Sequence, residues 1–368
     1  MNRRWKRWLR KIPRLALAGA IGLAVGCGDP SSGPPSPERS MALVDEPSAI
    51  DPTMETDGKD AAQPPSGEES APPALPYLAP LTGLGSEREI TERPVMVMVE
   101  NSPMARPQSG LDEADLVYEL LAEGDITRFA AVYQSRAPEI VGPVRSIRPY
   151  FVQIGDGLDA LIVHAGWSQE AMNMIAERKL AHFDEVYGDG AYYWRSADRK
   201  MPHNLYTGID KIRQGAVKKK YRETWNGPIL HFLAPDEPVP EGSPATSAKI
   251  AYPYGYDVSY EYDAGTGLYL RFMEGEPHTD AQSGKQLSAA NVLICVAKHR
   301  IVDSEGRRSI DVFGPNKGYL LQKGQMHEIS WERREGIIRA YANGKEFPLI
   351  PGQTWIQVVP EGTGITVQ

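Results

Sequence analysis

The run Val95-Met96-Val97-Met98-Val99 passes directly into the polar stretch Glu100-Asn101-Ser102-Pro103. Consecutive β-forming residues that are bounded by turn-forming residues predict a buried strand. The polar loop therefore begins at the end of a strand, and it opens a region of about a hundred residues that is rich in arginine, carboxylates, histidine and glycine. This region is the candidate for function.

The next segments predict a β-hairpin. Residues 116–122 and 127–134 are apolar runs on either side of Gly124-Asp125, and the second run alternates as a strand does. A helix over 115–123 that ends at Gly124 is the alternative. We expect Glu119 and Glu123 on the same face of either element, because they are four residues apart.

Helical patterns alternate with a further strand in the next hundred residues. The predicted helices cover 149–155, 168–179 and 207–221, and the strand covers 158–164. Ser168 is expected to cap the second helix, and Thr207 with Asp210 the third.

Strands dominate after residue 227, where Asn343-Gly344 is the strongest hairpin signal. We therefore predict an α+β fold in two domains. An α/β-like N-terminal domain with a mixed sheet, helices and a polar cleft is expected over 77–235, and a smaller, mostly-β domain over 236–368.

Residues 1–26 have the layout of a secretory signal peptide, with a basic segment, an apolar run and Gly26 before Cys27. The run is shorter than the about 20 apolar residues that span a bilayer. A small residue before a cysteine resembles the bacterial lipobox, so Cys27 is the predicted lipidation site and would anchor the chain in the lipid bilayer. The alternative is an ordinary signal peptide cut near Gly26. Both interpretations place the protein outside the cytoplasm.

Residues 27–76 are rich in proline, serine, alanine and acidic residues, which predicts a disordered tether. Loss of the basic signal peptide changes the formal net charge from −8 to about −15. Such an acidic chain is a poor candidate for nucleic-acid binding, and we expect no nucleic-acid partner. Cys295, in the apolar run 292–296, is expected to be a buried structural cysteine.

Basic and amide side chains in the polar loops are candidates for binding an anionic ligand: Arg106, Arg128, Arg145, Arg148 and Asn204. Arg145 and Arg148 are three residues apart, and neighbouring guanidinium groups repel each other unless an anion lies between them. That anion could be a ligand carboxylate or phosphate. It could equally be Asp115, Glu119 or Glu123, in a structural ion network.

The candidate acid–base residues are Glu119, Glu123, His164 and His203. His164 follows an apolar run and precedes Ala165-Gly166, which places it at the edge of a sheet, where α/β active sites are assembled. General acid–base catalysis requires that the histidines converge with a glutamate, and otherwise they are core or loop residues. The sequence leaves open whether the protein is an enzyme. It has no paired cysteines, His-x-x-x-His motif or calcium loop, so we expect no metal and no cofactor.

These motifs resemble those of the YerB-like bacterial lipoproteins, a family with paired N- and C-terminal domains of unknown function. The resemblance spans about residues 80 to 360 and is carried by 101–111, 114–119, 142–150, 164–166, 202–206, 290–292, 329–331 and 351–356. This chain differs from the family at Gly166-Trp167, where members often have two glycines. The resemblance implies a membrane-anchored extracytoplasmic lipoprotein and a domain boundary near residue 240, and it implies no particular reaction.

Two hypotheses follow from the residues and the resemblance. In the first, the N-terminal domain binds, and could process, an anionic cell-wall ligand such as a muropeptide or a glycan, as a hydrolase or lyase would. In the second, the protein is a non-catalytic envelope adaptor. The charged residues then form a structural network, and the C-terminal β domain binds an envelope protein.

Overall fold

The computed structural model describes residues 75–234, 237–252 and 256–368. The predicted signal peptide, Cys27 and the tether up to residue 74 lie outside the described residues. No helix within these ranges is long and apolar enough to cross a membrane.

The first half of the chain combines strands with three helices. In chain order it contains β1 (Tyr77–Leu78), β2 (Gly85–Ser86), β3 (Val95–Glu100), β4 (Leu116–Leu121), β5 (Thr127–Tyr133), α1 (Pro149–Gly157), β6 (Leu161–His164), α2 (Gln169–Arg178), β7 (His182–Asp184), β8 (Tyr193–Arg195), β9 (Leu205–Thr207) and α3 (Ile209–Lys218). Single 3-10 turns cover Pro103–Ala105, Leu111–Glu113, Glu185–Tyr187 and Gly190–Tyr192.

The second half contains strands throughout its described part. They are β10 (Ser243–Pro244), β11 (Ser247–Tyr252), β12 (Tyr256–Asp263), β13 (Leu268–Met273), β14 (Glu276–Pro277), β15 (Ser288–Ala289), β16 (Asn291–Ala297), β17 (His299–Ile301), β18 (Arg308–Ile310), β19 (Asn316–Gln322), β20 (Gln325–Arg334), β21 (Ile337–Ala342), β22 (Lys345–Glu346), β23 (Thr354–Pro360) and β24 (Gly364–Val367).

The main sheet is mixed and draws strands from both halves of the chain. Its order is β22-β21-β20-β19-β16-β23-β4-β5-β3-β6-β7, with β10 beside β20. The neighbours β3, β6 and β7 are parallel, and β23 runs parallel to both β16 and β4. A second sheet has the order β14-β13-β12-β11-β24, with β15 beside β13. Because β23 pairs with β4, one sheet crosses the position of the predicted domain boundary at residue 235.

Both faces of the main sheet are covered, which explains the unbroken apolar run of β3. Val95, Val97 and Val99 belong to a core shared with α3 and the second sheet, whereas Met96 and Met98 belong to a core shared with α1 and α2. Strands buried on both faces lose the polar alternation of surface strands. Each such side chain contributes about 1.5 to 3 kcal/mol through burial. The α+β prediction is confirmed.

The hairpin prediction is also confirmed, since β4 and β5 pair directly, and the helix alternative is wrong. The helix α2 begins after Ser168, whose hydroxyl accepts a hydrogen bond from the Ala171 backbone N–H. The predicted start of α3 at Thr207 is wrong. Thr207 ends β9, where its backbone pairs with Val141, and Gly208 precedes the helix. Pairing with a distant segment therefore overrides the local capping signal.

An ion pair with no solvent exposure joins the main sheet to the second sheet. The Glu119 carboxylate in β4 accepts a hydrogen bond from the Arg271 guanidinium in β13 at 2.6 Å, and both side chains are 0% exposed. Burial alone would lower the pKa of Arg271, but the Glu119 carboxylate raises it, and the net shift is upward. Arg271 is therefore charged in the folded protein.

Neighbouring groups satisfy the remaining hydrogen-bonding capacity of Arg271. Its Nε donates to Nδ1 of His278 at 3.1 Å, and its guanidinium lies 4.3 Å from the centre of the Trp355 ring. The hydroxyl of Tyr260 accepts another hydrogen bond from Arg271. Such partners are required because desolvating two charges costs several kcal/mol per ion.

His164, the last residue of β6, is also buried. Its Nδ1 lies 3.0 Å from the Gly166 carbonyl oxygen and its Nε2 lies 3.2 Å from Nδ1 of His182 in β7. Burial lowers the pKa of His164 to about 4, although nearby Asp184 acts in the opposite direction. The imidazole is therefore neutral at physiological pH.

Glu119→Gln should lower the free energy of unfolding by about 3 to 5 kcal/mol, because it leaves the Arg271 charge buried without a partner. Urea denaturation followed by circular dichroism measures the change. The control is Glu332→Gln, which removes a surface pair with Arg334 and should change the free energy of unfolding little. Equal effects of the two substitutions would contradict the importance of the buried pair.

The stability of the protein should fall as the pH is lowered from about 7 to about 5. The unfolded chain protonates His164 near its usual pKa of 6.5, whereas the folded protein does so only near 4, so the unfolded state binds more protons in this window. His164 alone should remove about 2 kcal/mol over that window. Urea titrations at both pH values measure the free energy of unfolding. Between pH 7 and pH 5 it should fall less in His164→Gln than in the wild type or in the exposed control His231→Gln.

Candidate functional site

The predicted site residues fall into separate environments. Glu119 belongs to the buried ion pair between the sheets, where Asn101 and Thr127 also donate hydrogen bonds to it. Arg106 lies beside this network. Its guanidinium donates to Asn101 and pairs with Glu274 at 2.9 Å. These groups hold the two halves of the chain together.

Glu123 lies beyond the end of β4, in the hairpin turn, and is therefore not on the same strand face as Glu119. It accepts hydrogen bonds from Arg128 at 2.9 Å and from Arg148. Burial raises the pKa of Glu123, but the two arginines outweigh this effect and hold it below its usual value. The arginines also donate to the carbonyl oxygens of Ser146 and Ile147, so this group fastens the 146–148 loop to the hairpin.

His164 and Asn204 are likewise committed to internal partners. His164 is buried beneath the sheet edge, between the Gly166 carbonyl oxygen and the His182 ring. The Asn204 side chain accepts a hydrogen bond from Arg195 at 3.1 Å and donates one to the Ser196 carbonyl oxygen at 2.9 Å. Both residues therefore support the loops at the edge.

The remaining predicted residues, Arg145 and His203, lie together with Glu100 and Ser102. We call these four residues the carboxyl-edge cluster. Their position follows from the parallel strands: β3 and β6 end at the same edge of the main sheet, and Glu100 ends β3. The carboxyl edge of parallel strands is where α/β sheets bind ligands.

A chain segment around Arg145 separates the ends of these two strands. The Arg145 N–H donates to the Met98 carbonyl oxygen, and the Arg145 carbonyl oxygen accepts from the Ala165 N–H. On its other side the segment pairs with β9, because the Val144 N–H donates to the Leu205 carbonyl oxygen. His203 lies two residues before Leu205, and it therefore lies at the same edge of the main sheet as Arg145.

Glu100 is the centre of the cluster. Its two carboxylate oxygens lie 2.9 and 3.0 Å from Nδ1 of His203, and one of them accepts a hydrogen bond from the Ser102 hydroxyl at 2.7 Å. The nearest guanidinium nitrogen of Arg145 is 3.5 Å away. The Glu100 side chain is only 6% exposed, whereas those of His203 and Arg145 are 21% and 32% exposed. The cluster thus presents a cation and an imidazole to solvent above a buried carboxylate.

Sequence reasoning assigned no role to Glu100, Ser102 or Arg271. A signal existed for Glu100, because a carboxylate directly follows a fully apolar strand. A signal also existed for Arg271, which alternates with the buried Tyr269 and Met273 and so shares their inward face. Across the described ranges, no group of three histidine, cysteine or acidic residues is arranged to hold a metal ion.

Comparison with known proteins bears on both halves of the chain. Residues 81–222 match the family described as protein of unknown function (DUF3048) N-terminal domain, and residues 248–356 match its C-terminal domain. A protein of Bacillus subtilis (strain 168) named "Putative lipoprotein YerB" is 42% identical over 290 residues, which cover 77% of this chain and 86% of that protein.

The crystal structure of the YerB protein from Bacillus subtilis is similar throughout. The two superpose with a TM-score of 0.72 at 40% sequence identity, over 79% of this chain and 99% of that one. Sequence and fold therefore agree, and the chain belongs to the DUF3048 family of YerB-like proteins.

Proposed function

We propose that this protein is a membrane-anchored extracytoplasmic lipoprotein that binds an anionic ligand of the cell envelope at the carboxyl-edge cluster. A muropeptide or an acidic wall glycan is the proposed class of ligand. The single observation that carries the proposal is the state of Arg145, whose charge is exposed and weakly partnered at the edge of the parallel strands.

The contacts of the arginines distinguish Arg145 from the other candidates. Arg106, Arg128 and Arg148 each approach a carboxylate closely and also donate to backbone oxygens. The Arg145 guanidinium makes a 3.5 Å contact with Glu100 and, among the described residues, no other ion pair. Since Glu100 already interacts with His203, Arg145 retains capacity for an external anion. A bidentate carboxylate or phosphate suits a guanidinium in this state.

An aromatic pair beside the cluster supports a ligand that contains sugar. Trp167 is the backbone bridge partner of Ile147, two residues after Arg145, and its ring centre is 5.1 Å from that of the exposed Tyr187. Aromatic faces of this kind pack against the apolar faces of sugar rings. An acidic glycan could thus contact the aromatic pair and Arg145 together.

The anchoring part of the proposal is supported by the layout of residues 1–27 and by the name of the Bacillus subtilis relative. The adaptor hypothesis also has support, because Glu119 and Glu123 neutralise their arginines within the fold, as a structural network would. Those ion pairs account for the hairpin and the contact between the sheets. They do not involve Arg145, and the proposed ligand site is therefore limited to the carboxyl-edge cluster.

Arg145→Ala should weaken binding of muropeptides about 10- to 100-fold, because it removes a charged hydrogen-bond donor from the site. Isothermal titration of the full chain in detergent micelles, with muropeptides released from purified peptidoglycan, measures the affinity. The matched control is Arg178→Ala, which removes an exposed arginine of α2 that pairs with Asp156. Absence of binding by the wild type, or equal binding by the two variants, would contradict the proposed site.

Cys27→Ala should abolish lipid attachment and release the chain from the membrane fraction. Mass spectrometry of the protein purified from a bacterial host, together with membrane fractionation, tests this outcome. Cys295→Ala is the control, because that thiol is fully buried in β16 and should leave the acyl group in place. Retention of the lipid in Cys27→Ala would show that the anchor is elsewhere.

A further inference from the structure

We propose that Glu100 and His203 form an acid–base dyad that hydrolyses a carboxylic ester in the ligand held by Arg145. This inference rests on the proposed binding function and adds a reaction to it. Glu100 acts as a positioning residue, and His203 is the catalytic residue.

The first step of the argument is the orientation of the imidazole. Both carboxylate oxygens of Glu100 lie within hydrogen-bond distance of Nδ1 of His203, so Nδ1 carries the proton and donates it to the carboxylate. The lone pair is then on Nε2. A carboxylate that holds Nδ1–H in this way also stabilises the imidazolium that forms when Nε2 takes a proton.

The second step is access to Nε2. In the part of the chain that the structure describes, this nitrogen makes no hydrogen bond, and the His203 side chain is 21% exposed. Glu100, by contrast, is almost wholly buried, and its backbone N–H donates to the Pro143 carbonyl oxygen. A general base requires a fixed orientation and an accessible lone pair. Glu100 supplies the first to His203 through Nδ1, and Nε2 supplies the second.

The third step identifies the nucleophile. The Ser102 hydroxyl donates to Glu100 and is 3.4 Å from Nδ1, the nitrogen that Glu100 already occupies. A serine nucleophile would instead need to contact Nε2, as in the serine hydrolases. The attacking group is therefore water bound at Nε2, and no acyl-enzyme forms.

The reaction is redox-neutral. The oxygen of the water forms a bond to the carbonyl carbon of the ester, while Nε2 of His203 takes one proton from that water. The carbonyl oxygen becomes the oxyanion of a tetrahedral intermediate, while Arg145 holds the carboxylate of the ligand. Collapse of the tetrahedral intermediate breaks the bond to the alkoxide oxygen, and His203 returns its proton to that oxygen. The products are a carboxylic acid, which ionises, and an alcohol.

The proposed substrate class is an ester because a single imidazole must perform both proton transfers. An alkoxide is a better leaving group than an amide anion, so direct attack by water is faster on esters than on amides. Ester substituents on a sugar ring beside a carboxylate would fit the cation of Arg145 and the nearby aromatic pair.

The test uses the full chain in detergent micelles with two probes. Mono-4-nitrophenyl succinate carries a free carboxylate beside its ester, and 4-nitrophenyl acetate carries none. Above the protein-free rate, which for the succinate includes attack by its own carboxylate, the wild type should hydrolyse the succinate faster than the acetate, and Arg145→Ala should lose that preference. Turnover of the succinate no faster than in protein-free micelles would overturn the dyad but leave muropeptide binding standing. Absence of muropeptide binding by the wild type would instead overturn the proposed function itself.

His203→Gln should lower kcat for the succinate ester about 100-fold or more, the usual contribution of a general base. The matched control is His231→Gln, an exposed histidine outside the carboxyl-edge cluster, which should keep the wild-type rate. Free imidazole should restore part of the activity of His203→Ala, beyond the rate that the same imidazole gives without protein. Equal rates in His203→Gln and the wild type would overturn the assignment.

The substitution Glu100→Gln tests whether Glu100 positions His203 or only supports the fold. It should lower kcat about tenfold with KM little changed, because the imidazole loses the carboxylate that orients it. Circular dichroism verifies that the variant folds. A kcat equal to that of the wild type, or a loss that falls on KM alone, would overturn the role of Glu100. A burst of nitrophenolate in the wild type would overturn direct attack by water.

Discussion

The Glu119 carboxylate and the Arg271 guanidinium meet at 2.6 Å in a place that water does not reach, and they come from opposite halves of the chain. A buried charge without its partner is strongly unfavourable, so this pair requires the second sheet to pack on the main sheet in one register. The same network extends to the polar loop after β3. His278 contacts both Arg271 and Gln108, and Gln108 donates to the Glu100 carbonyl oxygen. The ion pair thus helps to hold the end of β3, where the carboxyl-edge cluster begins.

At that edge, the pairing of the strand ends places the residues of the proposed site. The segment around Arg145 occupies the space between the ends of β3 and β6 and satisfies their free backbone groups. Its outward side chain then has few partners, because the carboxylate closest to it is already bound to His203. The nearby Arg106, Arg128 and Arg148 pair with Glu274 and Glu123, whereas Arg145 has only its 3.5 Å contact with Glu100.

Much of the local structure could be predicted, and much of the site could not. The strand β3, the β4–β5 hairpin and the helix after Ser168 all follow from patterns within about ten residues. The sequence offered Glu119 and Glu123 as possible partners of the loop arginines, but it could not decide which charges meet. Glu123 lies in a turn beside two arginines, and Glu119 faces a residue 152 positions away in the chain. The sequence also suggested His164 as an acid–base residue and gave no role to Glu100. In the structure, His164 is buried and neutral.

The sequence by itself determined the secondary structure of most elements, the α+β class and the family, because strand propensity, capping and motif order act over short stretches of chain. Only the tertiary structure decided which charges neutralise one another. Ion pairing depends on distances of a few ångströms between side chains that are far apart in sequence, and burial decides how strongly each pair is required. In the structure, Arg145, His203 and Glu100 lie together at the carboxyl edge, and the other predicted side chains have partners within the fold.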